Sequence, residues 1–515
     1  VKHVKHGTAR RLMALIAAGL GLLGCPDSWT GPKKNPVSAV WIGPGTEVPD
    51  ASRLARLEEL GIGEIFVEAA ELDLASGGAG LRRFDLPRLP PSTPVTLVAS
   101  GRWPGGDFDL GEAAVRVAEE AQQARFDAEG QGLIPVGLHF DPRGVDSLSR
   151  YADFLDELQG ELDRTLFLST TVERSWLDDS ALDDVVGEVD FAVPLLYGQR
   201  LGEREDPAAW DFVILQRQLE VFDELGTPYL VGIVTLGTAA HLGRNDGVKD
   251  RSTAISLQKI LWDRNFKLEH GFALEGGNRQ VYTVRAQRGV RVGEWVVRQG
   301  EAVRVVRPTT FHLEEVESLL GVWALPGYLG RLYYRLPEEG ERLSLTLDNL
   351  TNALEPGPAA PDLEFDAAVR RRIGRGWLFE FSLTNANGEV TDFSLIDNNY
   401  LQIHAPGKTF GQVDVGDFYR YELFRTSDTG ELERTHRQPD VLRLYAPMLE
   451  GRQTLLSGAV QVLGRRGSPN LELEVRFVLP NGGELELGPY TWRDGELDTG
   501  EEGEDQPTPE EEPAP

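Results

Sequence analysis

The stretch Gly132-Leu133-Ile134-Pro135-Val136-Gly137-Leu138-His139-Phe140-Asp141-Pro142-Arg143 decides how this chain is read. Alternation along an extended strand sends Leu138 and Phe140 to one face and Gly137, His139 and Asp141 to the other. The apolar face calls for a layer of helices, and the polar face is left for binding or chemistry. Pro142 lacks the next backbone donor and stops the ladder, which leaves the Asp141 carboxylate at the C-terminal lip of the strand.

On either side of this strand, extended and helical patterns alternate. Strands are predicted at 38–42, 64–72, 94–102, 165–172, 191–197, 229–235 and 329–336. Between them helices are predicted at 50–60, with Asp50 as N-cap, and at 111–129, 147–162, 177–186, 210–225 and 313–320. Such alternation over roughly 300 residues is the pattern of an α/β fold of the (β/α)8 TIM type. A doubly wound open sheet is the alternative, because alternation alone does not establish closure. A β-rich insertion is expected at about 280–306. From 343 to 495 short alternating strands with turns predict an antiparallel β-sandwich domain, so the barrel is assigned 37–342. Residues 496–515 are acidic and Pro-rich and are expected to be disordered.

The chain of 515 residues has a net charge of -30, from 82 acidic and 52 basic side chains. Such a surface repels phosphate backbones, which argues against nucleic acid as a partner. The single cysteine, Cys25, excludes an intrachain disulfide and a multi-cysteine metal site. No metal or cofactor is expected: the histidines are scattered, and there is no Gly-rich phosphate loop with Lys, no Gly-x-Ser-x-Gly and no His-Glu-x-x-His. Gly19-Leu20-Gly21-Leu22-Leu23-Gly24 formally matches a dinucleotide fingerprint but follows no strand.

The N-terminus reads as a targeting segment. Lys2, Lys5, Arg10 and Arg11 precede an apolar run at 12–23 that is too short for a stable membrane span. Leu22-Leu23-Gly24-Cys25 resembles a bacterial lipobox, and the resemblance implies cleavage before Cys25 and a lipid anchor on its thiol. Residues 26–36 would then be a tether. A buried free cysteine behind an ordinary signal peptide is the other reading.

In a barrel of this type the site lies at the C-terminal strand ends. Alternation turns Glu68 of the second strand into the lumen and sends Thr171, Glu173 and Trp176 to the mouth from the fifth. Ser100, Arg102 and Trp103 end the third strand, Tyr197 and Gln199 the sixth, and Tyr333 and Arg335 the eighth. Aromatic faces stack on sugar rings and fixed polar groups bind hydroxyls, so a polysaccharide suits this inventory. Hydrolysis needs two carboxyl groups, for which Asp141 with Glu68 or Glu173 is the candidate set. Each residue also has a structural reading. Asp141 can cap the following loop, Glu68 can pair with Arg335, His139 can be a hydrogen-bonded core residue, and Trp176 and Tyr197 can be packing residues.

Several motifs resemble a bacterial domain-of-unknown-function family with a glycoside-hydrolase-like barrel. They are Val-Gly-Leu-His-Phe-Asp-Pro at 136–142, Tyr-Ala-Asp-Phe-Leu at 151–155, Leu-Ser-Thr-Thr at 168–171 before Trp176, and Val189-Asp190 before Tyr197-Gly198. Tyr-Arg-Leu-Pro at 334–337 completes the set. That family usually has Asp-Phe-Asp where this chain has His139-Phe140-Asp141. The strand is also similar to the acidic fourth-strand motif of chitinase-type glycosidases, whose catalytic Glu position is here Arg143. The resemblance implies an exported protein acting on polysaccharide. Its departures favour the alternative, a non-catalytic envelope lipoprotein that binds glycan or another protein.

Overall fold

The computed structural model describes residues 38–498 except 47, 74–79, 104–107, 196–211, 271–280, 323–325, 339, 356–359, 375, 393–397, 465–468, 481–482 and 494. Cys25, the tether, Tyr197, Gln199 and the tail from 499 onward lie outside the described residues.

Eight parallel strands form the barrel: β1 (Ser38–Ile42), β2 (Ile62–Asp73), β3 (Pro94–Arg102), β4 (Ile134–Arg143), β5 (Phe167–Val172), β6 (Phe191–Pro194), β7 (Tyr229–Val234) and β8 (Tyr328–Tyr334). Consecutive strands pair in order. β1 pairs with both β2 and β8, so the ring is closed and the open-sheet alternative is excluded. Around it run α1 (Ala51–Glu59), α2 (Leu110–Gly130), α3 (Leu148–Glu161), α4 (Leu182–Gly187) and α5 (Phe212–Leu225). The Asp50 carboxylate accepts from the Arg53 backbone N–H at 2.9 Å, the cap expected from the sequence. Ala113, Ala114, Ala121, Ala124 and Ala128 line the buried face of α2, and such small side chains let the helix lie close to the sheet.

Alternation divides the barrel residues between two cores. Val40, Ile65, Val67, Leu97, Leu138 and Phe140 face outward into the helix layer. Trp41, Phe66, Val98, Val193, Leu230 and Leu332 fill the lumen.

After β7 the chain leaves the barrel for a five-stranded antiparallel sheet that holds α6 (Leu257–Trp262) at its side. This sheet is larger than the stretch 280–306, because Thr238–Leu242, Val248–Ser252 and Phe266–His270 pair into it. The chain then returns through α7 (Thr310–Val322) to β8. Residues 343–347, which the sequence reading puts at the start of the sandwich, instead lead into α8 (Leu347–Leu354). Thr346 and Asn349 close a capping box there, and Leu347, Leu350 and Ala353 join the outer core, so the helix completes the last βα unit.

The C-terminal region is a sandwich of a five-stranded and a seven-stranded antiparallel sheet over a core that includes Phe379, Phe381, Leu401, Leu442 and Val475. It is tied to the barrel at Glu389, whose carboxylate accepts from Asn349 Nδ2 at 2.9 Å and Asn352 Nδ2 at 3.0 Å. No helix among the described residues is long and apolar enough to cross a membrane.

Candidate functional site

Strand pairing brings the polar residues of the lumen into layers. The lowest holds Glu64, which accepts a hydrogen bond from the Thr96 hydroxyl. Above it His139 lies fully buried, with Nδ1 2.9 Å from Ser169 Oγ and Nε2 3.0 Å from Thr171 Oγ1. Its ring meets Trp41 and Phe66 edge-on at 5.5 and 5.2 Å. Burial pushes its pKa down to about 3, so the ring is neutral at physiological pH and its two nitrogens are a donor and an acceptor for the flanking hydroxyls.

The top layer is the mouth. Asp141 is only 7% exposed. Burial raises its pKa, a shift opposed by the Arg143 guanidinium and a hydrogen bond from Thr171 and reinforced by Glu68 and Glu173. Asp141 therefore lies within electrostatic reach of all four of these side chains. Glu68 accepts from the Ser100 hydroxyl, and Ser100 is the register partner of Asp141 on the adjacent strand. Two residues further on, Arg102 and Arg143 are also register partners, so the lip above Asp141 carries two exposed guanidinium-bearing residues side by side. Glu173 follows β5 and accepts from Ser175 Oγ at 3.2 Å.

Arg335 reaches the mouth beside Glu68. A Cβ on Gly43 would stand 3.4 Å from both Arg335 Cδ and Glu68 Oε2. The guanidinium itself pairs with Glu338 at 2.9 Å and Glu341 at 3.0 Å. Tyr334, joined to Arg335 by a cis peptide, packs edge-on to Trp41 at 4.8 Å. Burial pushes its hydroxyl above the usual phenol range; Asp141 and Glu68 push the same way, while Arg143 and Arg335 oppose. Tyr334 is thus the mouth residue that sequence alternation passed over.

Other expected site residues point elsewhere. Tyr333 belongs to the outer core, and its hydroxyl donates to Glu317 Oε1 at 2.7 Å. The register of β8 shifts between Tyr328 and Gly330, and Leu332 and Tyr334 take the inward positions. Trp103 is 2% exposed, packed edge-on against Phe108, Tyr151 and Phe154 at 5.5, 5.0 and 5.4 Å. Trp176 sits in the same layer, 5.9 Å from the Tyr151 ring. Trp103 directly follows β3, and Trp176 closes the 3-10 turn Arg174–Trp176 after β5, where the period of two no longer applies. Among the described residues no group of His, Cys, Asp and Glu is arranged to hold a metal ion.

No family model matches the chain, and no curated protein does. Among solved structures it is similar to a chitinase from Chromobacterium violaceum ATCC 12472 at 13% identity, covering 62% of this chain and 97% of that one with a TM-score of 0.39. It is also similar to the spore cortex-lytic enzyme SleL of Bacillus megaterium QM B1551, at 14% identity over 65% of this chain and 82% of that one, TM-score 0.38. A chitinase from Bacteroides thetaiotaomicron is similar at 8% identity over 62% and 97% of the two chains, TM-score 0.37. The mouth sets three carboxyl side chains (Glu68, Asp141 and Glu173) among Arg102, Arg143 and Arg335. Such a set can accept from sugar hydroxyls and donate to ring and glycosidic oxygens.

Proposed function

We propose that the protein is an extracytoplasmic lipoprotein, anchored to a bacterial membrane through Cys25, whose barrel mouth binds an envelope polysaccharide without cleaving it. One observation carries the reading: Arg143 occupies the strand end above the buried Asp141. A hydrolase of this geometry places a protonatable carboxyl where it can give its proton to the glycosidic oxygen. A guanidinium stays protonated throughout and cannot fill that role. What it does supply is a fixed fork of donors for hydroxyl or carboxylate oxygens on a ligand.

A second reading, hydrolysis by Asp141 and Glu68, is favoured by the raised pKa of Asp141. Burial shifts this carboxyl in the direction a general acid needs. A glycan-array screen run beside reducing-end assays separates the two, with wild type, Asp141→Asn and Arg143→Glu compared. Binding without release of reducing ends, weakened in both variants, is expected. Release by the wild type that is lost in Asp141→Asn would refute the binding-only reading and establish the hydrolase. The anchor is tested separately: Cys25→Ser should shift the protein from the membrane fraction to the soluble fraction.

A further inference from the structure

A second concave site lies away from the mouth, where the insertion meets the chain that follows β8. α6 and the residues around it form one wall of a cleft of about 240 Å³. The turn of the hairpin Val290–Val292/Trp295–Val297 forms the other. Arg342 closes one end, held in place because its backbone N–H donates to the Thr253 carbonyl at 3.1 Å.

Three cationic side chains line this cleft, Lys259, Arg291 and Arg342, and all three residues are exposed. Among the described residues none of them forms an ion pair; the Arg291 guanidinium donates only to the Gly293 carbonyl of its own turn, at 3.3 Å. The single carboxylate in the lining, Asp263, accepts on Oδ1 from the Asn265 backbone N–H at 2.8 Å and from Asn265 Nδ2 at 2.9 Å. Ile260 and Phe266 supply apolar surface to the same cleft.

On a chain with a net charge of -30, gathering three cations around one carboxylate leaves a local excess of positive charge that an arriving anion relieves. We propose that this cleft binds an anionic oxygen group, a carboxylate or a phosphate, carried on a compact body such as a single sugar ring. Its volume lies below the roughly 300–1,000 Å³ of pockets for drug-sized ligands, which suits one such unit. The cations take the charged oxygens, and Ile260 and Phe266 take the apolar face of the ring.

The test is calorimetric titration of the full chain at low ionic strength with digalacturonate, inorganic phosphate and, as a neutral control, cellobiose. Saturable binding of digalacturonate, phosphate or both, with none of cellobiose, is expected; which probe binds identifies the oxygen group. Lys259→Ala and Arg342→Ala should each weaken it about tenfold, the loss of one charge-assisted contact, and added salt should weaken it further. Arg88→Ala, which removes an exposed cation of the barrel outside the cleft lining, should leave it unchanged. Thermal unfolding of the exposed-site variants should match the wild type; if either is destabilised, Arg291→Ala provides the same readout. Absence of saturable binding for both anions, or binding indifferent to these substitutions, would overturn the proposal.

Discussion

His139 gives a quantitative test of how dry the barrel lumen is. In the unfolded chain a histidine takes up a proton near its ordinary pKa of 6.5, whereas in the fold burial holds His139 down to about 3. The unfolded state therefore binds more protons between these values, and stability falls as pH drops through that window. The stabilisation is complete above pH 6.5 and is lost at about 1.4 kcal/mol per pH unit below it, so about 2 kcal/mol is gone at pH 5. His312, also held down to about 3 by burial, adds a similar slope that is present in any His139 variant. His139→Gln keeps one amide to serve Ser169 or Thr171 but does not titrate. At neutral pH it should be less stable by about 1–3 kcal/mol, the cost of a buried hydroxyl losing its partner. By pH 5 the gap should have narrowed by about 2 kcal/mol. Urea denaturation followed by tryptophan fluorescence at neutral pH, pH 6 and pH 5 measures both quantities. Parallel pH profiles for wild type and variant would mean that His139 protonates in the fold as readily as in the unfolded chain. That outcome would refute a sealed lumen beneath the mouth.

Three further outcomes follow from the same structure. Asp141→Asn removes a buried carboxyl whose pKa burial raises, so ionisation destabilises the wild type as pH climbs through and above the carboxylate range. Thermal unfolding should show the variant gaining relative to wild type at pH 8 and losing that advantage at low pH; a gain confined to low pH would contradict the sign. Trp103→Ala deletes a ring that is 2% exposed between barrel and helices and should cost about 3–5 kcal/mol in urea denaturation. On the proposed binding of glycan at the mouth, affinity should persist where the protein is folded, and a selective loss of binding at unchanged stability would place Trp103 at the mouth after all. Thr346→Ala opens the capping box of α8 and should cost about 1 kcal/mol by the same assay, with no change expected if α8 is held by packing alone.

The period-two patterns along the strands determined much by themselves. They located each strand of the barrel, and they turned Glu68, Asp141 and Thr171 toward the axis, because a residue's face within an unbroken ladder is set by parity alone. The cap at Asp50 was legible for a similar reason, being a local hydrogen bond within one turn. Closure was not legible: the pairing of β1 with β8 joins residues nearly the whole barrel apart in sequence, and alternation describes an open sheet equally well. Parity also needs a known starting face. Gly330 to Tyr334 pair continuously with β7, so the inward Leu332 puts Tyr334 and not Tyr333 at the mouth, and two adjacent tyrosines carry no polar contrast that would announce the choice. Trp103 and Trp176 lie just past strand ends, where only the packing of helices against Tyr151 and Phe154 determines their direction. The cleft of Lys259, Arg291 and Arg342 draws on segments some 80 residues apart, and only tertiary contact makes one site of them. Sequence fixes what each strand presents to its two faces; folding decides which faces meet.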